Sequence, residues 1–472
     1  MMKKTLIPIF LFIAQLVAAQ AVFKNYSAAG FASMIRTPEN ELIAGGRTYS
    51  GNASELWKFD ASGNVIWSQI LPFPPNSYIK KISTTNDGNY MLCGYYAQGA
   101  GQSNLLFVKF TTHGNVLWTT LPNVPKQFNI NNVFQLTDQS FVAVGASGNY
   151  GTPNYAVLRF DSTLTNILSF VEHQVESDTF FTNWQSVEDA YLSPDQASII
   201  SICADNTTGS NINSDSYVLK SDINGQLIWK KKIDNGQLDR ARAVKLLADN
   251  TILVTGITNQ DYWTTWGNMF LTKLDGNGEV LWQRFFDSTG IGAPLTGINL
   301  LERNNGDILI TGNKLGGPKS NILLVLMDAN GAEKNRLLLT RDEYEDSPNA
   351  TVLLDNEIIA IAGWQDQFWL HKNLLVLLPF KLISSTRETI VDSPSFEVFP
   401  NPFHTGVTMQ YDHQSKPPTP LTLEIYAHLG SLVYTGTISN SLNLQELPSG
   451  MYYFVLTDKA LSKSFVRRVV KE

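Results

Sequence analysis

The chain has 472 residues, of which 43% are hydrophobic and 16% are charged, so it can bury a large core and is too apolar to be disordered throughout. Its formal net charge of −7 excludes a nucleic-acid binder that relies on a bulk positive field. We therefore expect no nucleic-acid partner. At roughly 150 residues per domain the length suggests about three domains, although propellers and barrels exceed that size as single units.

Residues 1–19 have the pattern of a secretory signal peptide. Lys3 and Lys4 precede an uncharged apolar run, and the small residues that a signal peptidase reads follow at its end. The run is shorter than the roughly 20 apolar residues that a transmembrane anchor needs. The pattern predicts cleavage between Ala19 and Gln20, export of the chain, and no transmembrane span in the mature protein.

A short apolar strand that ends in a small residue recurs along residues 20–380. The small residues are Gly45, Gly94, Gly145, Ala204, Gly256, Gly312 and Gly363. A further strand precedes each of these strands, and a polar loop, a third strand, a tight turn and a fourth strand follow it. Repeats of roughly 40 to 50 residues with four strands are typical of propeller blades. The pattern predicts an all-β fold with a seven-bladed β-propeller over residues 20–380, with an open β-solenoid as the alternative.

The seventh repeat has only three strands of its own, the last of them around Leu374–Phe380. The segment Ala21–Tyr26 at the start of the mature chain can supply the missing fourth strand. Pairing it with the last blade removes two exposed strand edges. The sequence therefore predicts a ring that the N-terminal strand closes.

Two cysteines, Cys93 and Cys203, occupy equivalent places in two non-adjacent repeats according to this alignment. A disulfide needs Cα atoms within about 7 Å, and a whole intervening repeat separates these two. We expect two buried free thiols.

The turn between third and fourth strands carries the pattern Asp-x-x-Gly, as at Asp222, Asp275 and Asp328. These turns look like fragments of calcium loops, but they lack the longer run of ligands and the distant Glu of an EF-hand. A hairpin turn, with Asp capping the backbone and Gly at positive φ, explains them better. With the Trp that follows, the pattern resembles the tryptophan-docking repeat of quinoprotein dehydrogenases. In that family the repeated Trp is structural, so the resemblance supports blades.

After the repeats, residues 381–395 have the composition of a linker. In residues 396–472, short apolar segments separated by Pro and Gly turns predict a small Ig-like β-sandwich of about six or seven short strands. Ordered motifs punctuate this segment, and their residues are Pro400, Asn401, Pro402, Phe403, Gly430, Pro448, Gly450, Tyr452 and Lys471. In these motifs the segment resembles the type A C-terminal sorting domain of the bacterial type IX secretion system.

The resemblance implies that the type IX secretion machinery recognises this domain and carries the protein across the outer membrane. It also implies removal of the domain on the surface by a cut just before Phe396, followed by release of the cargo or attachment to lipopolysaccharide. An adhesive Ig-like module that stays on the chain is the alternative.

Catalytic motifs are mostly absent from the sequence. It contains no His-Glu-x-x-His, no Gly-x-Ser-x-Gly, no Walker loop and no Cys-x-x-Cys. The six histidines are scattered. We therefore predict no catalytic residues, no cofactor and no metal site.

Propellers usually bind ligands with the loops between second and third strands, together with the loops between blades. The loops between second and third strands are predicted to hold the aromatic candidates Tyr96, Tyr262, Trp263, Trp266, Trp364 and Trp369. Flat aromatic rings suit stacking on sugars, whereas packing over the blade ends is the alternative. The acidic loop Arg341–Asp346 is either solvated or a source of paired carboxylates for glycoside or uronate chemistry.

These observations favour an exported, non-catalytic propeller that binds a glycan or a surface protein. A secreted polysaccharide hydrolase or lyase, with its site on the loop face, is the alternative.

Overall fold

The structure is a computed structural model. It describes residues 21–26, 30–48, 53–71, 77–97, 103–148, 154–174, 184–206, 215–235, 239–258, 267–286, 294–314, 321–339, 345–355, 357–367, 370–384, 389–391, 396–411, 422–427, 432–437, 441–458 and 463–472. The described chain divides into two compact units, Ala21–Thr389 and Ile390–Glu472.

The first unit is a ring of seven antiparallel blades in the described residues; six of them have four strands, and the sheet of the sixth blade has a fifth. The chain begins with β1 (Val22–Tyr26). The first two blades are β2 (Phe31–Arg36), β3 (Leu42–Arg47), β4 (Ser54–Phe59), β5 (Val65–Ile70); and β6 (Ser77–Thr84), β7 (Tyr90–Ala97), β8 (Ser103–Phe110), β9 (Val116–Thr120). The next two are β10 (Phe128–Gln135), β11 (Phe141–Ser147), β12 (Asn154–Phe160), β13 (Ile167–His173); and β14 (Trp184–Leu192), β15 (Ser198–Asn206), β16 (Ser216–Asp222), β17 (Leu227–Ile233).

The remaining blades continue the same order. The fifth and sixth are β18 (Arg240–Leu246), β19 (Ile252–Thr258), β20 (Asn268–Leu274), β21 (Val280–Phe286); and β22 (Leu295–Glu302), β23 (Ile308–Lys314), β24 (Asn321–Met327), β25 (Glu333–Leu339). The seventh has β26 (Glu345–Leu353), β27 (Ile358–Gln367) and β28 (Leu370–Pro379), and the short helix α1 (Lys381–Ser384) and strand β29 (Thr389–Val391) follow it.

The N-terminal strand completes the seventh blade. Strand β1 pairs antiparallel with β28, with Val22 opposite Leu377 and Tyr26 opposite Asn373. Its side chains also reach the first blade, where Lys24 Nζ donates to the carbonyl of Ser62 at 2.8 Å. The ring is therefore closed by main-chain pairing between the two ends of this unit.

Burial in the ring follows strand position. The second strands β11 and β19 are buried at every residue, because neighbouring blades cover both of their faces. The fourth strand β17 alternates between exposed and partly buried residues, because only its inner face packs on the next blade. The first strands of neighbouring blades lie against one another and form the inner wall.

A β-bulge recurs at one position in all seven described first strands. Beside it the first-strand carbonyl approaches the second strand closely. A Cβ on Gly94 would lie 1.9 Å from the carbonyl oxygen of Tyr78. Glycine therefore stands there in six blades, as Gly46, Gly94, Gly145, Gly256, Gly312 and Gly363.

The position of the bulge shows that the small residues of two repeats were matched incorrectly in the sequence analysis. In the first and fourth repeats the position falls on Gly46 and Cys203, one residue away from the predicted Gly45 and Ala204. Cys93 lies one residue before its glycine, so the two cysteines are not at equivalent positions, as the alignment predicted. The prediction of two buried free thiols is confirmed.

The turns between third and fourth strands are the hairpins that the Asp-x-x-Gly pattern predicted. The Asp222 carboxylate accepts hydrogen bonds from the backbone N–H groups of Asn224 and Gln226 at 2.9 and 2.8 Å. Gly225 has a φ of 93°, which is the left-handed conformation that this turn requires.

Tryptophans of the fourth strands bind the turn of the next blade. The indole N–H of Trp229 donates to the carbonyl of Gly276 at 3.1 Å, and its ring packs over Gly278. Trp67 donates in the same way to Thr112 at 3.3 Å. These contacts link blades along the outer part of the ring, so the repeated Trp is structural here.

The second unit is a two-sheet β-sandwich in its described residues. One sheet contains β30 (Phe396–Phe399), β31 (Gly406–Tyr411) and β34 (Ser441–Asn443). The other contains β32 (Thr422–Ala427), β33 (Leu432–Thr437), β35 (Gly450–Asp458) and β36 (Lys463–Lys471). A core that includes Val407, Ile425 and Phe454 lies between the sheets. In the described part of the chain, no helix is long and apolar enough to cross a membrane.

Candidate functional site

A buried lysine at the end of the chain organises the C-terminal unit. Lys471 is only 7% exposed. Its ammonium donates to the backbone carbonyls of Leu444, Gln445 and Leu447 at 3.0, 2.6 and 2.5 Å. Three carbonyls that converge on one buried ammonium fix the last strand against the turn that precedes β35.

The Pro-Asn-Pro-Phe segment contacts the same end of the last strand. Phe403 is fully buried, its N–H donates to the carbonyl of Val470 at 2.9 Å, and the N–H of Glu472 donates back to its carbonyl at 3.0 Å. The Asn401 side chain accepts a hydrogen bond from the Val470 N–H at 2.9 Å. Motifs that lie about 70 residues apart in sequence are therefore adjacent in the sandwich.

The Leu-Pro-Ser-Gly-x-Tyr segment closes the turn on its other side. Tyr452 is 4% exposed, and its hydroxyl donates to the carbonyl of Pro448 at 2.6 Å. Burial raises the pKa of Tyr452, so the hydroxyl remains a donor at neutral pH.

The predicted sorting residues thus divide into two groups. Phe403, Tyr452 and Lys471 are buried and hold the fold together, whereas Pro400, Asn401, Pro402 and Pro448 are exposed. Gly450 is partly buried at the start of β35. Gly430 lies outside the described residues, as do Ala19 and Gln20 of the predicted signal-peptide cleavage site.

On the propeller, one end of every blade is the loop face, formed where second strands end and third strands begin. The prediction that Tyr96 and Trp364 lie in loops is wrong, because both belong to second strands, near the ends of β7 and β27 at this face, and both are half-buried. The Cβ of Trp364 would lie 2.7 Å from a Cβ on Gly30, so part of this residue packs against the first blade. The other candidates, Tyr262, Trp263, Trp266 and Trp369, lie outside the described residues.

The structure shows an aromatic stack that the sequence analysis missed. The rings of Tyr78 and Tyr95 are stacked with centroids 4.8 Å apart, and the Arg47 guanidinium lies 3.9 Å from the Tyr78 ring centroid. Lys80 Nζ is 5.9 Å from the Tyr95 ring centroid. Arg47, Tyr78 and Tyr95 lie at or near strand ends on the loop face, and Lys80 lies two residues further into β6. Two stacked rings and two cations are therefore grouped near this face.

The inner wall carries ion pairs between first strands. Glu188 accepts hydrogen bonds from Arg240 and Arg242, with shortest distances of 2.7 and 3.1 Å. Lys81 of the second blade reaches Asp189 of the fourth at 3.4 Å, which is possible only across the centre of the ring. Carboxylates of the inner wall are thus neutralised by cations of other blades.

Comparison with known proteins identifies the C-terminal unit. Residues 397–472 match the family described as secretion system C-terminal sorting domain. A search of curated proteins found no match.

Solved structures share the propeller fold at low identity. A polysaccharide lyase, an ulvan lyase, has a TM-score of 0.52 and 9% identity over 76% of this chain and 96% of its own. The extracellular domain of a hybrid two-component system from B. thetaiotaomicron has a TM-score of 0.47 and 11% identity over 96% of this chain. This chain covers 58% of the length of that domain.

PorZ, a surface component of the type-IX secretion system of Porphyromonas gingivalis, has a TM-score of 0.32 and 11% identity over 92% of this chain and 68% of its own. At these identities the likeness is one of fold alone. Residues 397–472 are a type IX secretion system C-terminal sorting domain, and the chain that carries it is a β-propeller protein that is secreted or attached to the outer surface.

Proposed function

We propose that the propeller is a non-catalytic binding protein that the type IX secretion machinery delivers to the cell surface, and that its ligand is a glycan bound on the loop face. The observation that carries this proposal is the stack of Tyr78 and Tyr95 with Arg47. Ordered aromatic rings offer flat apolar surface for sugar rings at little cost in side-chain entropy. The adjacent cations Arg47 and Lys80 favour a glycan with carboxylate or sulfate groups.

The charges of the inner wall support binding rather than catalysis. A general acid or base must be able to exchange a proton near neutral pH. Glu188 and Asp189 instead face cations, at 2.7 Å from Arg240 and 3.4 Å from Lys81. Both carboxylates already pair with these cations, so their oxygens are occupied rather than open to a substrate proton.

A secreted polysaccharide hydrolase or lyase is the second candidate. It is favoured by one observation, because burial raises the pKa of Asp215 at the loop face, as a general acid requires. The ulvan lyase with a similar fold shows that a propeller of this kind supports such chemistry in another protein.

The test is a glycan array with the full chain that includes neutral, uronic-acid and sulfated polysaccharides. Tyr95→Ala removes one ring of the stack and is expected to weaken binding at least tenfold. Leu281→Ala is the control, because Leu281 is 53% exposed on the outer strand β21, next to the hairpin at the opposite end from the loop face. A Trp263→Ala, Trp266→Ala double variant tests the candidates that the sequence indicated.

The outcomes separate the two functions. The glycan site is supported if Tyr95→Ala weakens binding and Leu281→Ala leaves it unchanged. Cleavage of any bound polymer, measured as new reducing ends or unsaturated products, favours the enzyme instead. Absence of binding across the array refutes the glycan proposal and leaves a protein ligand.

Processing of both ends is part of the proposal. We expect the mature chain to begin at Gln20 and to end in the linker just before Phe396. Intact-mass measurement of the protein recovered from the cell surface or medium tests both ends. A recovered protein that retains residues 396–472 would contradict removal of the sorting domain and favour a retained module.

A further inference from the structure

Three aspartates meet where the fourth and fifth blades adjoin at the loop face. Asp215 directly precedes β16, Asp234 follows β17, and Asp239 directly precedes β18. Ser216 pairs with Ile233 in the ladder, so the first two aspartates extend from neighbouring strand ends. Each of the three carboxylates places an oxygen within 4.8 Å of the other two.

Asp239 is the most firmly held of the three. It is fully buried, and it accepts hydrogen bonds from the Asn235 N–H at 2.5 Å and the Asn235 side-chain amide at 3.2 Å. The Thr258 hydroxyl also donates to it. The Ser216 hydroxyl donates to the Asp239 carbonyl at 3.0 Å, which anchors this backbone to β16.

The positive charge near the aspartates is insufficient to balance them. Lys232 Nζ lies 2.7 Å from Asp215 Oδ2 and 3.2 Å from Asp234 Oδ2. Its ammonium contributes one positive charge to the cluster. Within the described residues no cation pairs with Asp239. Among the described residues, Lys232 is therefore the ammonium that faces the three carboxylates, two of which are buried.

One oxygen in the cluster also lacks a partner. Asp215 is 7% exposed, and its Oδ1 is inaccessible to solvent and accepts no hydrogen bond, while its Oδ2 contacts Lys232. A buried carboxylate oxygen without a hydrogen-bond donor destabilises the fold, because it loses its hydrogen bonds to water and gains no others. A bound cation satisfies such an oxygen directly.

We propose that Asp215, Asp234 and Asp239 form a divalent-cation site whose occupant is Ca²⁺. Carboxylate oxygens are the ligands that Ca²⁺ prefers, and it accepts six to eight oxygens in irregular geometry, with water and backbone carbonyls completing the set. Mg²⁺ fits less well because it demands near-ideal octahedral geometry. The cation ties the ends of two blades together at the loop face, independently of any glycan.

The test is calorimetric titration of the chelator-treated full chain with CaCl₂, with native mass spectrometry to count bound ions. We expect one Ca²⁺ per chain, and at least a tenfold loss of affinity in Asp215→Asn and in Asp239→Asn. Asp275→Asn is the matched control, since Asp275 caps an exposed hairpin at the opposite end of the fifth blade. Its Ca²⁺ affinity is expected to equal that of the parent.

A Lys232→Met variant keeps the proposal testable if the aspartate variants do not fold. With a metal site, Ca²⁺ compensates for the lost ammonium and raises the melting temperature of this variant more than that of the parent. If Lys232 is instead the only cation of the cluster, Lys232→Met is destabilised equally with and without Ca²⁺. That result, or the absence of Ca²⁺ binding by the parent at millimolar concentration, overturns the proposal.

Discussion

Replacing Lys471 by Met should destabilise the sorting domain selectively. The methionine retains most of the apolar stem but removes the ammonium that three carbonyls share, those of Leu444, Gln445 and Leu447. A hydrogen bond to a charged group contributes about 1.5 to 3 kcal/mol when its loss leaves the partner buried. Leu444 is buried, whereas Gln445 is exposed and its carbonyl can gain water. We therefore expect a loss of about 3 kcal/mol in the free energy of unfolding of this domain.

The distribution of tryptophans allows the two units to be followed separately. All ten tryptophans precede residue 370, so tryptophan fluorescence reports the propeller alone. Hydrogen exchange of the amides in β35 and β36 reports the sorting domain, and 3 kcal/mol corresponds to roughly 150-fold faster exchange through global opening. We expect that acceleration in Lys471→Met with an unchanged fluorescence transition.

The control is Glu472→Gln, because Glu472 is exposed next to Lys471 and its carboxylate lies 3.8 Å from an exposed His404. Its exchange should match the parent. Exchange in Lys471→Met that is accelerated less than fivefold would refute the structural role of this lysine. If such a stable variant were nevertheless retained in the periplasm, the machinery would be reading Lys471 directly.

Three further predictions concern the propeller. In urea denaturation, Gly94→Ala should lower the free energy of unfolding by at least about 2 kcal/mol, because its Cβ would lie 1.9 Å from the carbonyl oxygen of Tyr78. Gly276→Ala should be nearly neutral, because its Cβ would lie 3.6 Å from the nearest atom, the carbonyl oxygen of Asn250. Trp229→Ala should lower the free energy of unfolding by about 2 to 4 kcal/mol, and Trp229→Phe by about half of that, because the phenyl ring keeps the contact with Gly278 but loses the hydrogen bond to Gly276. If Trp229→Phe is as stable as the parent, the hydrogen bond contributes nothing. Burial raises the pKa of Cys93 to about 12 and also raises the pKa of Cys203. A thiol reagent at pH 8 should therefore label neither cysteine in the native protein and both in guanidinium, and labelling of the native protein would contradict their buried positions.

The seven blades could be predicted because their determinants are local. The Asp-x-x-Gly turns and the apolar second strands recur in sequence at a fixed order, and each follows from hairpin chemistry or two-sided burial. The bulge could not be predicted, because it depends on which carbonyl approaches the second strand. It shifts the small residue from Gly45 to Gly46 and from Ala204 to Cys203.

The candidate sites were harder to predict because they join distant residues. Lys471 was singled out because the C-terminal motifs resemble those of a sorting domain. Its contact with the turn at Leu444 to Leu447 could not be predicted, because that contact depends on how the two sheets pack. Adjacent side chains point to opposite faces of a strand, so choosing Tyr95 rather than Tyr96 required knowing which of the two tyrosines contacts Tyr78. The aspartate cluster comes from two loops of unremarkable composition, one before β16 and one between β17 and β18.

Closure by β1 has a consequence for the order of folding. The strand is among the first segments of the mature chain to be made, yet its partner in β28 lies roughly 350 residues later. Six blades can each assemble from one contiguous segment, but the seventh must wait until both ends of the ring meet. Closing a flexible loop of that length costs about 5 kcal/mol in chain entropy, and each blade already formed shortens the flexible part and lowers that cost. The seventh blade is therefore the last to form and, when the first strand is pulled or frays, the first to open.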